Sequence, residues 1–444
     1  MSKAKIGFIS LGCPKNQVDT EIMLRELVEA GYPIVAEDIE ADIIIINTCA
    51  FIESAKKEAI DNILDVAWLK ENRNLQGIIV TGCLAQRYRE EILESLPEVD
   101  ALLGVNSIHD IVKCVRAVEN KRKVKFTSFK NEDELTLGGD RVVTTQNFAY
   151  LKIAEGCDNR CTYCAIPGIR GSFRSRRMED IINEAKDLEK LDIKELVIVA
   201  QDTTRYGEDI YGEYKLAELL HRLGEETSIP WIRILYCYPD KITNELIREI
   251  AENDKVVKYI DMPVQHINDD VLRRMNRHGD SAVIKDAIER LRKGVPGIII
   301  RSTAIAGFPG ETEEQFEELC EFIGEVKFER FGAFAYSREE DTPAYDLPCQ
   351  IEEQTKIDRA DMLMRKQVEI SAEFNQKQLG NILTVICEGF DPVSETHFGR
   401  SYMDAPEIDG KVYFTSDTKI PEGNFVKVEI TDILDYDLIG EALV

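Results

Sequence analysis

The chain has 444 residues, 44% of them hydrophobic, and carries a formal net charge of −27. That length accommodates two to four domains with real cores. The charge argues against a protein that grips nucleic acid through a broad basic face and favours a basic protein partner. Apolar runs such as IIIIN and GIIIR fall far short of the roughly 20 residues a membrane helix needs. The opening MSKAKIGFISLGCPKN has no extended apolar region or small-residue cleavage site, so a cytoplasmic location is expected. Eleven cysteines, an odd number, read as ligands or buried apolar residues and not as a disulfide framework.

Residues 1–119 show short apolar runs, KIGFISLGC, DIIIINTC, GIIVTGC and ALLGV, separated by helical patterns such as VDTEIMLRELVEAG and ESAKKEAIDNILDVAWL. Continuous apolar runs alternating with helices predict a parallel sheet covered on both faces. Gly31 stands where a helix-ending glycine belongs. Cys13, Cys49 and Cys83 each follow a predicted strand and precede a helix, at separations of 36 and 34 residues. The C-terminal ends of parallel strands converge at one edge, so three distant thiolates can meet there. Gly12 and Gly82 permit close backbone approach beside two of them. The alternative is three unrelated buried cysteines.

Residues 120–146, including NKRKVKFTSFKNEDELTLGGD, are polar, contain Gly138-Gly139 and hold one short strand, and read as an interdomain linker.

Residues 147–377 contain six strand candidates: FAYLKIAEG, ELVIVA, WIRILYCY, VKYIDMPV, IIIRSTAIAG and RFGAFAY. Helical patterns intervene, and one places Met178, Ile181, Ile182, Ala185 and Leu188 on a single face. Six βα units are too few for an eight-stranded barrel. An open, partial barrel is expected, with room for a large substrate and a long helix from Glu352 to Gln376 closing the region. After the first strand comes AEGCDNRCTYCAIPG, which spaces Cys157, Cys161 and Cys164 as C-x3-C-x2-C with no fourth ligand nearby. Structural zinc normally takes four protein ligands, and so do most iron–sulfur clusters. Three thiolates on a cubane leave one iron open to a substrate or cofactor. A zinc site with a distant fourth ligand is the alternative. Arg170, Arg174, Arg176 and Arg177 follow, either as a solvated run or as a cationic rim for a carboxylate. Among the five histidines only His266 stands near predicted chemistry, and Cys114, Cys237, Cys320, Cys349 and Cys387 receive no role.

Residues 378–444 alternate in FVKVEITD and, with NILTVICEGF, KVYFTSD and DLIGEAL, predict a small antiparallel five-stranded barrel.

The motifs LGCPKN, NTC, TGCLAQR, EGCDNRCTYCAIPGIRGSFRSR and GFPGET resemble those of the methylthiotransferase branch of radical SAM enzymes, over nearly the whole chain. The resemblance implies an α/β fold: a doubly wound N-terminal sheet, a partial (β/α)6 radical SAM barrel and a C-terminal OB-like TRAM barrel. It implies two 4Fe-4S clusters, an auxiliary one on Cys13, Cys49 and Cys83 and a SAM-cleaving one on Cys157, Cys161 and Cys164. In the family one S-adenosylmethionine methylates sulfur at the auxiliary cluster. A second yields a 5′-deoxyadenosyl radical that takes hydrogen from an unactivated carbon, which the methylthio group then replaces. The cofactors supply this chemistry while the protein positions and shields them. Candidate SAM contacts are Tyr163, just before the last cysteine, Gln201, Gln265, Arg301 and Gly310, with Asp202, Arg233, Gly307 and Glu311 beside them. No residue is assigned a catalytic role. A flavodoxin or ferredoxin is the expected reductant.

The family divides between adenosine in transfer RNA and an aspartate of a small-subunit ribosomal protein. From Gln378 onward four basic residues face thirteen acidic ones, a balance of −9. Such a surface repels phosphate and attracts a lysine- and arginine-rich protein. The segment GRSYMDAPEIDG also resembles the ribosomal-protein branch. β-Methylthiolation of an aspartate on small-subunit ribosomal protein number twelve is therefore expected, on the free protein or the assembled subunit, without direct RNA binding. A transfer-RNA adenosine enzyme is one alternative. A non-catalytic iron–sulfur electron carrier is the other, and it would need neither a SAM-sized cavity nor the GFPGET turn.

Overall fold

Ile43, Ile44, Ile45 and Ile46 are wholly buried, as an inner strand covered on both faces requires. They lie in the N-terminal sheet of a computed structural model that describes residues 3–120, 126–130 and 141–443. Gly138-Gly139 of the connector lies outside the described residues. The sheet comprises β1 (Ile6–Ser10), β2 (Ile43–Thr48), β3 (Gly77–Gly82), β4 (Ala101–Leu103) and β5 (Phe126–Ser128), parallel and in that spatial order. On the far side of β1, Ile34 forms a parallel bridge with Ile6, and the Val35 N–H donates to Ile6 O at 3.0 Å. The chain thus leaves β1 outward and returns across it to β2. That reversal makes the sheet doubly wound, with its switch point between the ends of β1 and β2.

Helices α1 (Pro14–Glu29), α2 (Glu53–Asn72), α3 (Cys83–Tyr88), α4 (Glu90–Ser95) and α5 (Ile111–Glu119) complete this region. Gly31, at φ +78°, ends α1. The Tyr32 N–H donates to Leu27 O at 2.9 Å and the Gly31 N–H to Val28 O at 2.8 Å, the Schellman pattern. The connector also gives β5 to this sheet, so part of the segment read as linker is an edge strand.

All six expected central strands are present as β6 (Phe148–Lys152) and, after a two-residue ribbon of β7 (Ala154–Glu155) and β8 (Arg174–Ser175), β9 (Glu195–Val199), β10 (Trp231–Ile234), β11 (Val256–Asp261), β12 (Ile299–Ala306) and β13 (Arg330–Ala335). Their order is β13-β12-β11-β10-β9-β6, an open partial (β/α)6 sheet. Met178, Ile181, Ile182, Ala185 and Leu188 are buried along one helix face, and a 24-residue helix spans Glu353–Gln376.

The last strands, β14 (Ile382–Asp391), β15 (Thr396–Ser401), β16 (Val412–Thr415), β17 (Phe425–Ile433) and β18 (Leu438–Ala442), close into a barrel. It is antiparallel except for β16 and β18, which pair in parallel. Between β15 and β16 the segment 402–409 is held by buried charges of the open sheet. Arg330 Nη2 lies 2.6 Å from Asp404, Tyr259 donates to Asp409 at 2.7 Å and Arg233 Nη1 donates to Tyr402 O at 2.8 Å. Glu195, wholly buried, bridges Arg233 at 2.5 Å and Arg400 at 2.8 Å.

The chain divides into two compact units. One comprises Met1–Thr144, Lys152–Glu184 and Ser337–Tyr345, and the other Thr145–Leu151, Ala185–Tyr336 and Asp346–Val444. Both cysteine trios fall in the first. No helix among the described residues is long and apolar enough to cross a membrane.

Candidate functional site

Cys13, Cys49 and Cys83 stand just beyond the C-terminal ends of β1, β2 and β3. Cys13 precedes Pro14, the first residue of α1, where proline's missing N–H costs no bond. Gly12 has φ +96°, and a Cβ there would sit 2.7 Å from Cys49 Cβ. Gly82 has φ +91°, and a Cβ there would sit 2.5 Å from Thr48 O. The two glycines let the three turns crowd together. Asn16, fully buried, ties them: its Nδ2 donates to Leu11 O at 3.1 Å and Thr48 O at 2.9 Å, while Cys83 Sγ lies 3.8 Å from its Oδ1. Asn47 Nδ2 in turn donates to Asn16 O at 2.8 Å. Both asparagines stand inside the motifs LGCPKN and NTC, but their task was not legible there, because it is to satisfy backbone carbonyls that meet only in the fold.

The three thiols sense one another. Burial pushes Cys13 up, but Lys15 and then Arg170 outweigh it and leave the thiol below its ordinary range. Burial, reinforced by Cys13, raises Cys49. Burial pushes Cys83 up to about 12. Metal coordination deprotonates such thiols outright. No three His, Cys, Asp or Glu side chains among the described residues gather around a single ion. Three cysteine thiols drawn together at adjacent strand ends are nonetheless the donor chemistry of an iron–sulfur cluster, and this donor set fits one.

Cys157, Cys161 and Cys164 lie in the loop between β7 and α6 (Ile166–Arg170). Cys157 and Cys161 are buried and Cys164 is half-buried, with Tyr163 half-buried beside it. The loop is pinned at its start by Cys157 N–H donating to Gly171 O at 3.1 Å, and Asn159 Nδ2 donates to Cys157 Sγ at 3.5 Å. The Cys164 N–H donates to Cys161 O at 3.0 Å. Gly156, at φ +78°, passes against the backbone of Gly171 and Ser172. Three cysteine thiols in one loop fit a cluster with one open iron.

The arginine run is not a solvated stretch, and two of its members are interior. Arg170 is 1% exposed, and Arg176 donates to Lys152 O at 2.7 Å and pairs with Glu184 at 2.7 Å. Arg170 donates to both oxygens of Glu155, at 2.9 and 3.0 Å, to Asn16 Oδ1 at 2.5 Å and to Asp19 Oδ2 at 3.1 Å. Lys152 joins Asp19 at 2.5 Å and Glu155 at 2.9 Å. Asp19, Lys152 and Glu155 escaped the sequence reading because each looks like an ordinary polar position until the fold buries it.

In the second unit, Gln201 follows β9, Gln265 follows β11 and Gly310 follows β12. Gln265 has φ +69°, its N–H donates to Thr303 O at 2.8 Å, and its Oε1 is buried with no hydrogen-bond partner among the described residues. The GFPGET turn has Gly307 at φ +78° and Gly310 at φ +77°. Glu311 fixes it, accepting from Gly307 N–H at 3.0 and 3.1 Å and from Arg359 Nη1 at 2.7 Å. His266, wholly buried, lies 3.4 Å from Glu311 and accepts at Nδ1 from Asn268 N–H at 3.0 Å, so it serves the turn. Arg301 donates to Asp261 at 2.9 Å and lies 3.5 Å from Asp409. Arg233 and Arg301 are thus charge-balanced by acids and carbonyls of their own unit.

Three family models match the chain in succession: the uncharacterized protein family UPF0004 over residues 5–104, the radical SAM superfamily over 151–323 and the TRAM domain over 379–443. The chain is 49% identical over 439 residues to the ribosomal protein uS12 methylthiotransferase RimO of Thermoanaerobacter sp. (strain X514), covering 98% of this chain and 99% of that one. It is 50% identical over 441 residues to the enzyme of the same name from Clostridium botulinum (strain Eklund 17B / Type B), covering 99% and 98%. Among solved structures, the radical S-adenosylmethionine methyltransferase TsrM from Kitasatospora setae, with cobalamin and a 4Fe-4S cluster bound, aligns with a TM-score of 0.58 at 11% identity, over 86% of this chain and 77% of that one, a likeness of fold. The chain belongs to the radical SAM superfamily and, within it, to the ribosomal protein uS12 methylthiotransferase family.

Proposed function

We propose that this protein transfers a methylthio group to the β-carbon of an aspartate in ribosomal protein uS12. The observation that carries the reading is the pair of cysteine trios in one compact unit, each set following the end of a strand. Cys13, Cys49 and Cys83 hold the auxiliary cluster and Cys157, Cys161 and Cys164 the SAM-cleaving one. When bound, the two clusters and S-adenosylmethionine supply the sulfur, the methyl group and the radical chemistry. The chain's own residues position them. Asn16, Gly12 and Gly82 set the spacing of the first trio, and Gly156 with Asn159 shapes the second loop. Tyr163, Gln201, Gln265 and Gly310 are the proposed SAM contacts. Arg301 is left out because Asp261 and Asp409 engage it. The domains run 1–119, 147–377 and 378–444, and a cytoplasmic flavodoxin or ferredoxin is the proposed electron source.

The acidic barrel is the proposed docking surface for the basic substrate. Arg400, Asp404 and Asp409 are taken up internally, yet from Gln378 onward eight exposed acids still face three exposed lysines. Asp391, Glu395, Asp417 and Glu422 flank one end, where the β14–β15 turn adjoins the segment after β16. Replacing Glu395, Asp417 and Glu422 together by lysine is expected to weaken uS12 binding about tenfold at low salt, with the loss shrinking as salt rises. Equal affinity for parent and variant, measured by titration at two salt concentrations, would remove the electrostatic part of the reading.

The direct test is anaerobic reconstitution with iron and sulfide, then SAM, dithionite and either uS12 or unmodified transfer RNA. A methylthio mass gain on a uS12 aspartate supports the proposal. The same gain on adenosine moves the substrate, and absence of 5′-deoxyadenosine removes the radical mechanism.

A further inference from the structure

We propose that Arg170 is a positioning residue for the auxiliary cluster, holding one fixed positive charge close to the thiolate of Cys83 while strapping the central-cysteine segment to the edge of the N-terminal sheet. The inference rests on the cluster assignment made above.

Arg170 lies only six residues beyond Cys164, yet its partners belong to α1 and to the strand before the central loop. Its fork is fully used. One nitrogen donates to both oxygens of Glu155, and the other to Asn16 Oδ1 and Asp19 Oδ2. Asn16 is the side chain that ties together the turns after β1 and β2 and touches Cys83. Ala165 and Ile169, on the same short segment, pack into one core with Cys83, Leu84 and Ala85. A displacement at Arg170 therefore reaches both trios. Lysine cannot reproduce this, because a single ammonium does not present two parallel N–H pairs.

The charge has its own work. Arg170, Lys152, Asp19 and Glu155 are all buried and neutralise one another as two cations and two anions. Of the two cations, Arg170 is the one beside the trio: its Nη2 donates at 2.5 Å to Asn16 Oδ1, which in turn lies 3.8 Å from Cys83 Sγ. Three thiolates around a four-iron core carry a net negative charge that grows when an electron is added. A buried anion of that kind needs a nearby cation. Cluster potentials respond to net charge and to hydrogen bonds at sulfur, so a fixed guanidinium should make the auxiliary cluster easier to reduce.

The test uses the full chain with Cys157, Cys161 and Cys164 replaced by alanine, so that only the auxiliary cluster can form. Arg170→Gln, Arg170→Lys and the paired Arg170→Gln/Glu155→Gln are built on that parent, the last keeping the buried network neutral in case the single variant folds poorly. Each is reconstituted, assayed for iron and sulfide, checked by circular dichroism and titrated with dithionite while the reduced cluster is followed by electron paramagnetic resonance. Expected are a shift of the midpoint to more negative potential in both glutamine variants, an altered resonance line shape, and partial return with lysine. Loss of iron from Arg170→Gln with unchanged circular dichroism would also support the role. A midpoint and line shape equal to the parent's in every iron-loaded variant would overturn it. A parent that takes up no iron would overturn the cluster reading and this inference with it.

Discussion

Gly156→Ala is expected to abolish SAM cleavage while sparing the N-terminal trio. Gly156 has φ +78°, where an L side chain is strained by about 1–3 kcal/mol. A Cβ there would also overlap Ser172 O and sit 2.6 Å from Gly171 O, both backbone atoms that cannot swing aside. Gly171 O is the acceptor for the Cys157 N–H, so any relief of the clash moves Cys157, the first proposed ligand of the central loop. Strain and overlap together should exceed about 3 kcal/mol locally. The readouts are iron per chain, expected to fall by about half because one of two clusters is lost, and 5′-deoxyadenosine, expected at background. Gly168→Ala is the control, since nothing lies within 4 Å of its added Cβ. Parent-like cleavage by the Gly156 variant would show that the loop tolerates the displacement.

Glu195→Ala should be the most destabilising single change in the second unit, by about 3–5 kcal/mol, because it strands two interior arginines. Arg233 is 0% exposed and Arg400 2%, and Glu195 pairs with both. Arg233 also donates to Tyr402 O, so losing Glu195 loosens the 402–409 segment and the barrel that carries it. Thermal unfolding and limited proteolysis of residues 378–444 are the measurements, and an unchanged melting temperature would contradict the argument. The same carboxylate gives a pH signature. Burial pushes its pKa up, but Arg233 and Arg400 prevail and hold it below the ordinary 4.5. A depressed carboxylate contributes stability that is present above pH 4.5 and lost as pH falls through its folded value. The parent should therefore lose this contribution in acid, and the alanine variant should have none to lose.

The acidic balance of the last domain shows how a residue count and a folded surface diverge. Asp404, Asp409 and Arg400 enter the −9 total but are spent on Arg330, Tyr259 and Glu195. Arg301 and Arg233 both stood among the candidates around SAM. Each is met by an acid of the neighbouring strand, Asp261 and Glu195 respectively, and by the segment 402–409, roughly a hundred or more positions away in sequence, and no local pattern announces the second pairing.

The sequence alone determined the local, periodic and chemical features. Apolar runs of strand length became all six central strands, the helical face from Met178 to Leu188 became buried, and Gly31 ended its helix, because these follow from backbone sterics and hydrophobic burial within one element. The strand-end setting of the two cysteine trios was visible as well, since it is a property of short segments, and their service as cluster ligands is part of the proposed function. Only the tertiary structure decided which segments share a unit. It gave the three-residue edge strand β5 to the N-terminal sheet, made β16 and β18 pair in parallel, and grouped Lys152–Glu184 with the N-terminal residues. It also buried Arg170 with Asn16, Asp19 and Glu155. Those outcomes depend on pairings between distant residues, whose free energy appears only when each buried polar group meets the partner that satisfies it.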